Sequence, residues 1–519
     1  MALSTVAMLG ALGSFVSHLT ESPLRAGVSL VLLCLSVYLF HVNRLLSGTP
    51  EEVRRLSPHR WTRNQIRAAY RTLEQRPITT ESFVGQVPPK LERRYIVTGG
   101  SGLVGGYIVL QLLARGQDPS AIRIVDFQAP HRRDMLSGPA SRVGFVKADI
   151  TSEEAVESAF SKTWPTGIKQ LPVTVFHTAA VIVPSDRSRL VYGFCEAVNV
   201  GGTINVLEAA KRVGADVLIM TSSASISIRP VEPWVRPWQW KEWPKHYWQL
   251  LDEADFFELP REHEGYFANY PASKARAERI VCAANGRAMR TGCIRPANGV
   301  YGHPTDNTVG GPLNMQTYPA WSGHIVQSFV HGANCAIAHL QMEAVLAKPD
   351  SASAPQAGRP FTITDPNPPI AYADLWLLVE TLSVTPFRTI PLLPVPMLLL
   401  SHVIEVYSLL PIRFPCLRWF MPPIPGNAKH LKPALFSITT HLFANNQAAR
   451  KPVQEGGLGY TGVLGTLDGM SQELLEWNHE HLETSPLTKT KYTSSVSLAE
   501  EIERIRSAAA KIRLPSSSG

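Results

Sequence analysis

Residues Tyr95 to Asp126 constrain the fold of this chain more than any other stretch. A β-branched run, Tyr95-Ile96-Val97-Thr98, ends in the glycine-rich turn Gly99-Gly100-Ser101-Gly102-Leu103-Val104-Gly105. An apolar helical segment follows, and a second apolar run, Ile122-Arg123-Ile124-Val125, ends on Asp126. Strand, glycine turn, helix, strand and acid in that order form the layout of a dinucleotide site. Gly99 permits the tight turn, Gly102 lets the backbone approach a pyrophosphate, and Gly105 allows helix and strand to pack closely. The helix N-terminus, with Leu103 and Val104 in its first turn, faces the phosphates. Asp126, 21 residues after Gly105, is placed to bond a ribose hydroxyl. A glycine triplet alone is equally the mark of a structural turn; the ordered strands and acid around it favour the nucleotide.

The same alternation continues downstream. Further strands are expected at Val143–Lys147, Thr174–His177 and Val217–Thr221, with helices at Val104–Ala114, Glu153–Lys162 and Val198–Val213. The pattern predicts an α/β fold, a Rossmann-type doubly wound parallel sheet. With 519 residues there is room for extensions on both sides of it.

Charge and hydropathy locate a membrane. Ala26–Phe40 is apolar and bracketed by Arg25 and Arg44, which makes a marginal bilayer span. Between Arg44 and Arg94 there are 11 Lys/Arg against 5 Asp/Glu, so net +6 of the chain's +8 sits directly after that run. A basic groove for nucleic acid would be spread over the folded body, so a membrane surface is the better reading and nucleic acid is not an expected partner. The positive-inside rule then puts the body in the cytosol. A buried or re-entrant helix is the alternative for the apolar run; a cleaved signal peptide lacks a small-residue cleavage motif. The six cysteines show no CxxC or zinc-ligand spacing, which points to reduced, buried thiols and no metal.

These features divide the chain into a membrane anchor (1–50), a basic juxtamembrane tether with one helix near Trp61–Gln75 (51–93), and the nucleotide-binding domain (94–303). A smaller substrate-binding region (304–484) and a polar tail (485–519), with a short helix around Ser497–Ile512, follow. Within the nucleotide-binding domain, residues 229–269 carry five of the eleven tryptophans: Trp234, Trp238, Trp240, Trp243 and Trp248. They form either a satellite cluster under a long loop, or a lid or membrane-facing surface. In the apolar segment 390–425, prolines and Glu405 argue against a spanning helix and for a substrate-domain helix or monotopic contact.

The chemistry resides in Tyr270-Pro271-Ala272-Ser273-Lys274. Tyrosine and lysine four apart share a helix face, and the ammonium is expected to lower the phenol pKa. Tyr270 can then exchange a proton with an alcohol or carbonyl near neutral pH. Thr221-Ser222-Ser223, at the end of the fifth expected strand, supplies a hydroxyl for the reacting oxygen. Asp126 favours NAD because its carboxylate repels a 2′-phosphate, while Arg123, Arg132 and Arg133 keep NADP open.

In order along the chain, several motifs resemble the extended short-chain dehydrogenase/reductases. They are Thr98–Gly105, Ala148-Asp149-Ile150, His177-Thr178-Ala179-Ala180, Asn199–Leu207, Thr221–Ser223, Tyr270–Lys274 and Ile294–Gly302. Phe329–Asn334, Gly358–Asp365 and Gly457–Tyr460 are similar to the 3β-hydroxysteroid dehydrogenase branch, which includes decarboxylating sterol-4α-carboxylate 3-dehydrogenases. The resemblance implies that Tyr270 is the general acid/base, that Lys274 holds the ribose, and that Ser223, or Ser222, bonds the substrate oxygen. It places Asp149 at the adenine, and Ala179, Asn199 and Pro296 beside the cofactor. It further implies a sterol or triterpenoid substrate, oxidised at the 3β-hydroxyl with loss of carbon dioxide from a 4-carboxylate. A dehydrogenase/isomerase, a terpenoid ketoreductase and a silent NAD-binding scaffold stay open as rivals. The expected setting is the endoplasmic reticulum membrane, as a homodimer or beside other membrane-bound sterol-processing enzymes. Ser223 and Tyr270 are 47 residues apart, longer than this family leads one to expect, because the tryptophan-rich segment intervenes.

Overall fold

The computed structural model describes residues 23–483 and the single position 503. The first 22 residues of the expected anchor segment and, apart from position 503, the expected helix at Ser497–Ile512 therefore lie outside the described residues.

Seven parallel strands form the main sheet: β1 (Arg94–Thr98), β2 (Ile122–Asp126), β3 (Gly144–Lys147), β4 (Val173–His177), β5 (Val217–Thr221), β6 (Arg290–Pro296) and β7 (Pro360–Ile363). Their spatial order is β7-β6-β5-β4-β1-β2-β3. The first five are the strands expected from sequence. Their β-branched runs are continuous because helices cover both faces, leaving Ile96, Val97, Val175, Phe176, Leu218 and Ile219 without exposed surface. On one face Leu103–Ala114 packs against Gly332–Leu346; on the other lie Glu153–Ser161, Gly202–Arg212 and Asn269–Ala283. Strand order reverses between β1 and β4, where Thr98 pairs in register with both Val125 and His177. That switch point opens a crevice at the carboxyl ends of the strands.

A second, four-stranded sheet joins Ile370–Ala371, Val326–Gln327, His441–Ala444 and Trp248–Leu251. The last of these lies in the tryptophan-rich segment, which is neither a plain loop nor a simple lid: one part is a strand and another wraps the anchor helix.

Residues 51–93 depart from the expected tether. Helix Arg63–Gln75 has its capping box at Thr62 and Gln65, and it buries Ile66 and Leu73 against the helices Thr466–Glu483 and Tyr372–Leu382. Trp61 N–H donates to Asp374 (2.9 Å). The arginines lie on the outer face of a helix that belongs to the body. The cysteines depart in part: four are buried, whereas Cys34 and Cys416 are exposed.

The anchor helix runs Pro23–Leu46, and its first 18 residues include Leu24, Val28, Leu30–Leu33, Leu35, Val37 and Phe40, all exposed. At 1.5 Å per residue that portion is about 27 Å long, close to the hydrocarbon thickness of a bilayer. Only its last turns are buried, through His41, Val42, Leu45 and Leu46. The apolar segment 390–425, expected to hold a substrate-domain helix or a monotopic contact, contains the continuous helix Pro394–Arg413, which by length and composition is also long and apolar enough to cross a membrane. Pro394 and Pro396 sit in its first turn, where a missing N–H costs nothing; Pro411 lies in its last.

Candidate active site

The glycine turn is held by steric necessity. Gly99 has φ +73°, and a Cβ there would stand 2.5 Å from the Ala179 nitrogen. A Cβ on Gly105 would stand 2.3 Å from the Gly99 carbonyl oxygen. Gly102 differs: it is exposed, with only the Gly99 oxygen within reach, at 3.2 Å. Protein packing therefore excludes side chains at 99 and 105, while 102 leaves open space. The first bond entering the following helix is Gly106 N–H to Gly102 O (2.9 Å). The preceding amides of Leu103, Val104 and Gly105 emerge from the helix end into the cavity these residues line, a ready anion site. The residues present thus fit a dinucleotide pyrophosphate.

Asp126 joins this turn to the loop after β2. One oxygen accepts from Ser101 N–H (3.0 Å), the other from Phe127 N–H (2.7 Å). Burial raises its carboxyl above the ordinary range while those N–H groups pull it down. Asp149 accepts from the Thr151 amide (2.9 Å) and hydroxyl (2.8 Å), which shapes the turn after β3. None of the three nearby arginines offers a free clamp for a 2′-phosphate. Arg123 is buried, donating to the carbonyls of Ala159, Phe160, Lys162 and Thr163 and stacked on Trp164 at 3.9 Å. Arg132 is buried against Asp134 and the Tyr107 ring, and Arg133 pairs with Glu480.

Gly99, Gly102, Leu103, Val104, Gly105, Asp126, Asp149, Ala179 and Pro296 all line one cavity of about 600 Å³, together with Ser223, Tyr270 and Lys274. Its far end is aromatic and aliphatic, built by Phe267, Tyr318, Trp321, Tyr372, Trp376 and Ile438. The reactive trio lines the same cavity as the glycine turn and these apolar side chains.

Asn199 is the exception. It is buried away from the cavity, within the π-turn Glu196–Gly201; its amide donates to Val181 O (3.0 Å) and Ser273 Oγ (2.9 Å) and accepts from Val181 N–H (2.9 Å). It fixes the backbone after β4 and the helix carrying Tyr270 and does not flank the cofactor space.

The two serine candidates separate. Ser222 Oγ donates to Glu278 (2.5 Å), which also binds Arg295 (2.6 Å). Ser223 Oγ instead shares a hydrogen bond with Ser225 Oγ (2.8 Å), accepts from Ser225 N–H (3.2 Å), and faces Tyr270, whose phenol it pulls down. Glu278 belongs to no motif that marks it in the sequence, although Tyr270, Lys274 and Glu278 recur every four residues on one face; Arg295 lies in the Ile294–Gly302 motif, which assigns it no role. Lys274 Nζ donates to Thr221 O (2.8 Å), and burial brings its pKa down to about 8. The expected lowering of the phenol is not found: burial pushes Tyr270 up to about 12, with the Ser223 hydrogen bond opposing. Desolvation of the partly exposed Tyr270 side chain is the larger effect, and the ammonium is turned toward the β5 carbonyl.

Residues 96–232 and 253–392 match the 3-beta hydroxysteroid dehydrogenase/isomerase family. The chain belongs to that family. It is accordingly an oxidoreductase of the 3β-hydroxysteroid dehydrogenase type. The 3beta-hydroxysteroid-dehydrogenase/decarboxylase isoform 1 of Arabidopsis thaliana is 26% identical over 421 residues, 78% of this chain and 83% of that protein. The 3 beta-hydroxysteroid dehydrogenase type 7 of Mus musculus is 26% identical over 69% of this chain and 89% of its own. The decarboxylating sterol-4-alpha-carboxylate 3-dehydrogenase of Schizosaccharomyces pombe is 26% identical over 51% and 68% respectively. Likeness to solved structures is looser: MoeE5 in complex with UDP-glucuronic acid and NAD is 15% identical over 75% of this chain and 99% of its own, with a TM-score of 0.48. The family match omits residues 233–252 and ends before the helix Pro394–Arg413.

Proposed function

We propose that this protein oxidises the 3β-hydroxyl of a membrane-borne sterol or triterpenoid with NAD, and that a 4-carboxylated substrate loses carbon dioxide. The observation that carries the reading is that Ser223, Tyr270 and Lys274 line one cavity with an anion-binding glycine turn and a set of apolar, aromatic side chains. When bound, NAD accepts the hydride from carbon 3. Tyr270 takes the hydroxyl proton as the alcohol becomes a ketone, and Ser223 donates to the same oxygen. Lys274 lies one helical turn beyond Tyr270, and its ammonium favours the phenolate as it forms. If carbon 4 bears a carboxylate, the product is a β-keto acid. Its C–CO₂ bond breaks with the electron pair passing into the ketone as an enolate, which Ser223 stabilises and which Tyr270 can protonate.

Engagement of Arg123, Arg132 and Arg133 elsewhere, with Asp126 beside the turn, supports NAD over NADP. The test is incubation with NAD and a panel of 4-carboxy and 4-methyl sterols, following NADH and carbon dioxide together. NADH with stoichiometric carbon dioxide is expected from the carboxylated members. NADH without carbon dioxide on all of them rejects decarboxylation, and no NADH from any sterol rejects the substrate class. Tyr270→Phe should lower turnover by roughly 10²–10⁴-fold while leaving NAD binding intact.

A further inference from the structure

Residues 233–252 and the helix Pro394–Arg413, both outside the family match, meet at the end of the anchor helix, which is outside it as well. Val395 N–H, opening the helix Pro394–Arg413, donates to Asn43 Oδ1 (3.2 Å). Val395 and Leu398 join Val42, Leu45 and Leu46 of the anchor, and Val235 and Tyr247 of the tryptophan-rich segment, in one buried cluster. That segment also grips the anchor directly. Tyr38 donates its hydroxyl to Val235 O (2.8 Å), Trp240 stacks on His41 at 3.8 Å, and Tyr247 donates to Leu46 O (2.9 Å). The anchor is bonded to the body rather than leashed to it, so the depth of residues 23–40 in a bilayer fixes the depth of everything bonded to 38–46.

The helix Pro394–Arg413 has two unlike faces. One buries Val395, Leu398, Ser401, Ile404 and Glu405 against the body, where Glu405 takes a two-pronged bond from Arg187 (2.8 and 2.6 Å). The other presents Leu399, Leu400, Val403 and Val406, at helical spacing and exposed, with no polar residue among them. Just beyond its end, Trp419 and Phe420 are 91% and 82% exposed beside Arg418. A helix held to protein on one side and largely apolar on the other, with only the partly exposed His402 and Tyr407 bordering that face, ending in aromatics and arginine, suits the plane of a membrane interface.

This junction borders the substrate cavity. Trp321 and Thr439 line both the large cavity and a small void whose other walls include Leu46, Val231, Phe436 and Pro394. Trp321 stacks on Phe436 at 5.5 Å and 17°. One layer of side chains therefore separates the apolar end of the cavity from the seam between anchor and flat helix. We infer that the lipid alcohol enters sideways from the bilayer, through the seam where the anchor helix meets the helix Pro394–Arg413, with the Trp321–Phe436 pair as its inner door. This rests on the sterol-type reading of the cavity.

Val231→Trp places bulk in the small void without touching the reactive trio. Turnover is read with a sterol carried in phosphatidylcholine vesicles and with a small water-soluble cyclic secondary alcohol. We expect kcat/KM for the vesicle-borne sterol to fall at least ten-fold, with the soluble alcohol and NAD binding within two-fold of wild type. Unchanged sterol turnover overturns the route, as does an equal fall for both alcohols with NAD binding intact. Should Val231→Trp fail to fold, a second measurement decides. Val403→Cys, in a Cys34→Ser, Cys416→Ser background, carries an environment-sensitive fluorophore. A blue shift in vesicles, quenched by shallow spin-labelled lipids, supports the flat helix; a water-like spectrum overturns it. If wild type turns over no sterol in any carrier, the substrate reading fails, a result distinct from a plug without effect.

Discussion

Gly102 and Gly105 stand three residues apart in one turn, yet they serve different ends. An alanine Cβ at 105 would meet the Gly99 carbonyl at 2.3 Å, backbone against backbone. Gly105→Ala should therefore lose roughly 1–3 kcal/mol of stability, seen as a lower melting temperature without ligand. At 102 the nearest atom is 3.2 Å away and the rest is open. Gly102→Ala should melt close to wild type but bind NAD at least ten-fold more weakly by titration; equal binding would remove the pyrophosphate from this turn. Ser223 permits a similar separation. Burial raises the Tyr270 phenol to about 12, and the Ser223 hydrogen bond works against that rise. Removing the bond in Ser223→Ala must raise the phenol further, so the alkaline rise of kcat/KM for alcohol oxidation should move to higher pH. At a fixed pH below that limb, the phenolate fraction falls about ten-fold for every pH unit the limb moves. A lower plateau with no movement of the limb would mean that Ser223 acts on the substrate alone.

Among the elements, the anchor helix has two functional halves. Residues 23–37 are exposed along most of their length, whereas Val42, Leu45 and Leu46 pack into the body. Deletion of residues 1–36 should leave a protein that melts near wild type and still sediments with vesicles, more weakly, through the helix Pro394–Arg413. Deletion of 1–50 also strips the three buried aliphatic residues, each worth about 2–4 kcal/mol in a packed core, and should melt well below the shorter truncation. Equal melting of the two would contradict the packed junction. What was legible in the sequence follows the same division between local and distant causes. β1 to β5 could be read to within a residue: β1, β2, β4 and β5 are almost wholly buried apolar runs, and the half-exposed edge strand β3 followed from the alternation. Ser223, Tyr270 and Lys274 were legible because each belongs to a short motif. The second sheet was not: Val326–Gln327 and Ile370–Ala371 are two residues long, too short for any periodicity, and His441–Ala444, which joins Val326–Gln327 to Trp248–Leu251, is remote from both in sequence. Nor was the docking of Arg63–Gln75, whose apolar Ile66 and Leu73 are outnumbered by arginines and whose partner helix, Thr466–Glu483, lies near the far end of the described chain. The Asn199 amide and the Trp321–Phe436 pair depend on contacts that no local pattern encodes.

At the scale of the whole molecule, one chain of hydrogen bonds ties the orientation of the sheet to that of the membrane. Tyr247, Val235 and Val395 all bond the last turns of the anchor helix, so the body can stand only on the side where that helix ends. The same side carries the net +6 between Arg44 and Arg94, the sign that stays cytosolic when a single helix inserts. By these two features the body and its nucleotide cavity are expected to face the cytosol, which protease protection tests. Expressed in sealed endoplasmic reticulum vesicles with an epitope placed before Met1 and another after Gly519, the protein should show asymmetric protection. Added protease should remove the second epitope and the body while the first survives until detergent is present. Survival of the body with loss of the first epitope would reverse the orientation. Loss of both without detergent would mean that Pro23–Leu46 does not cross the bilayer, leaving the flat helix Pro394–Arg413 as the membrane contact.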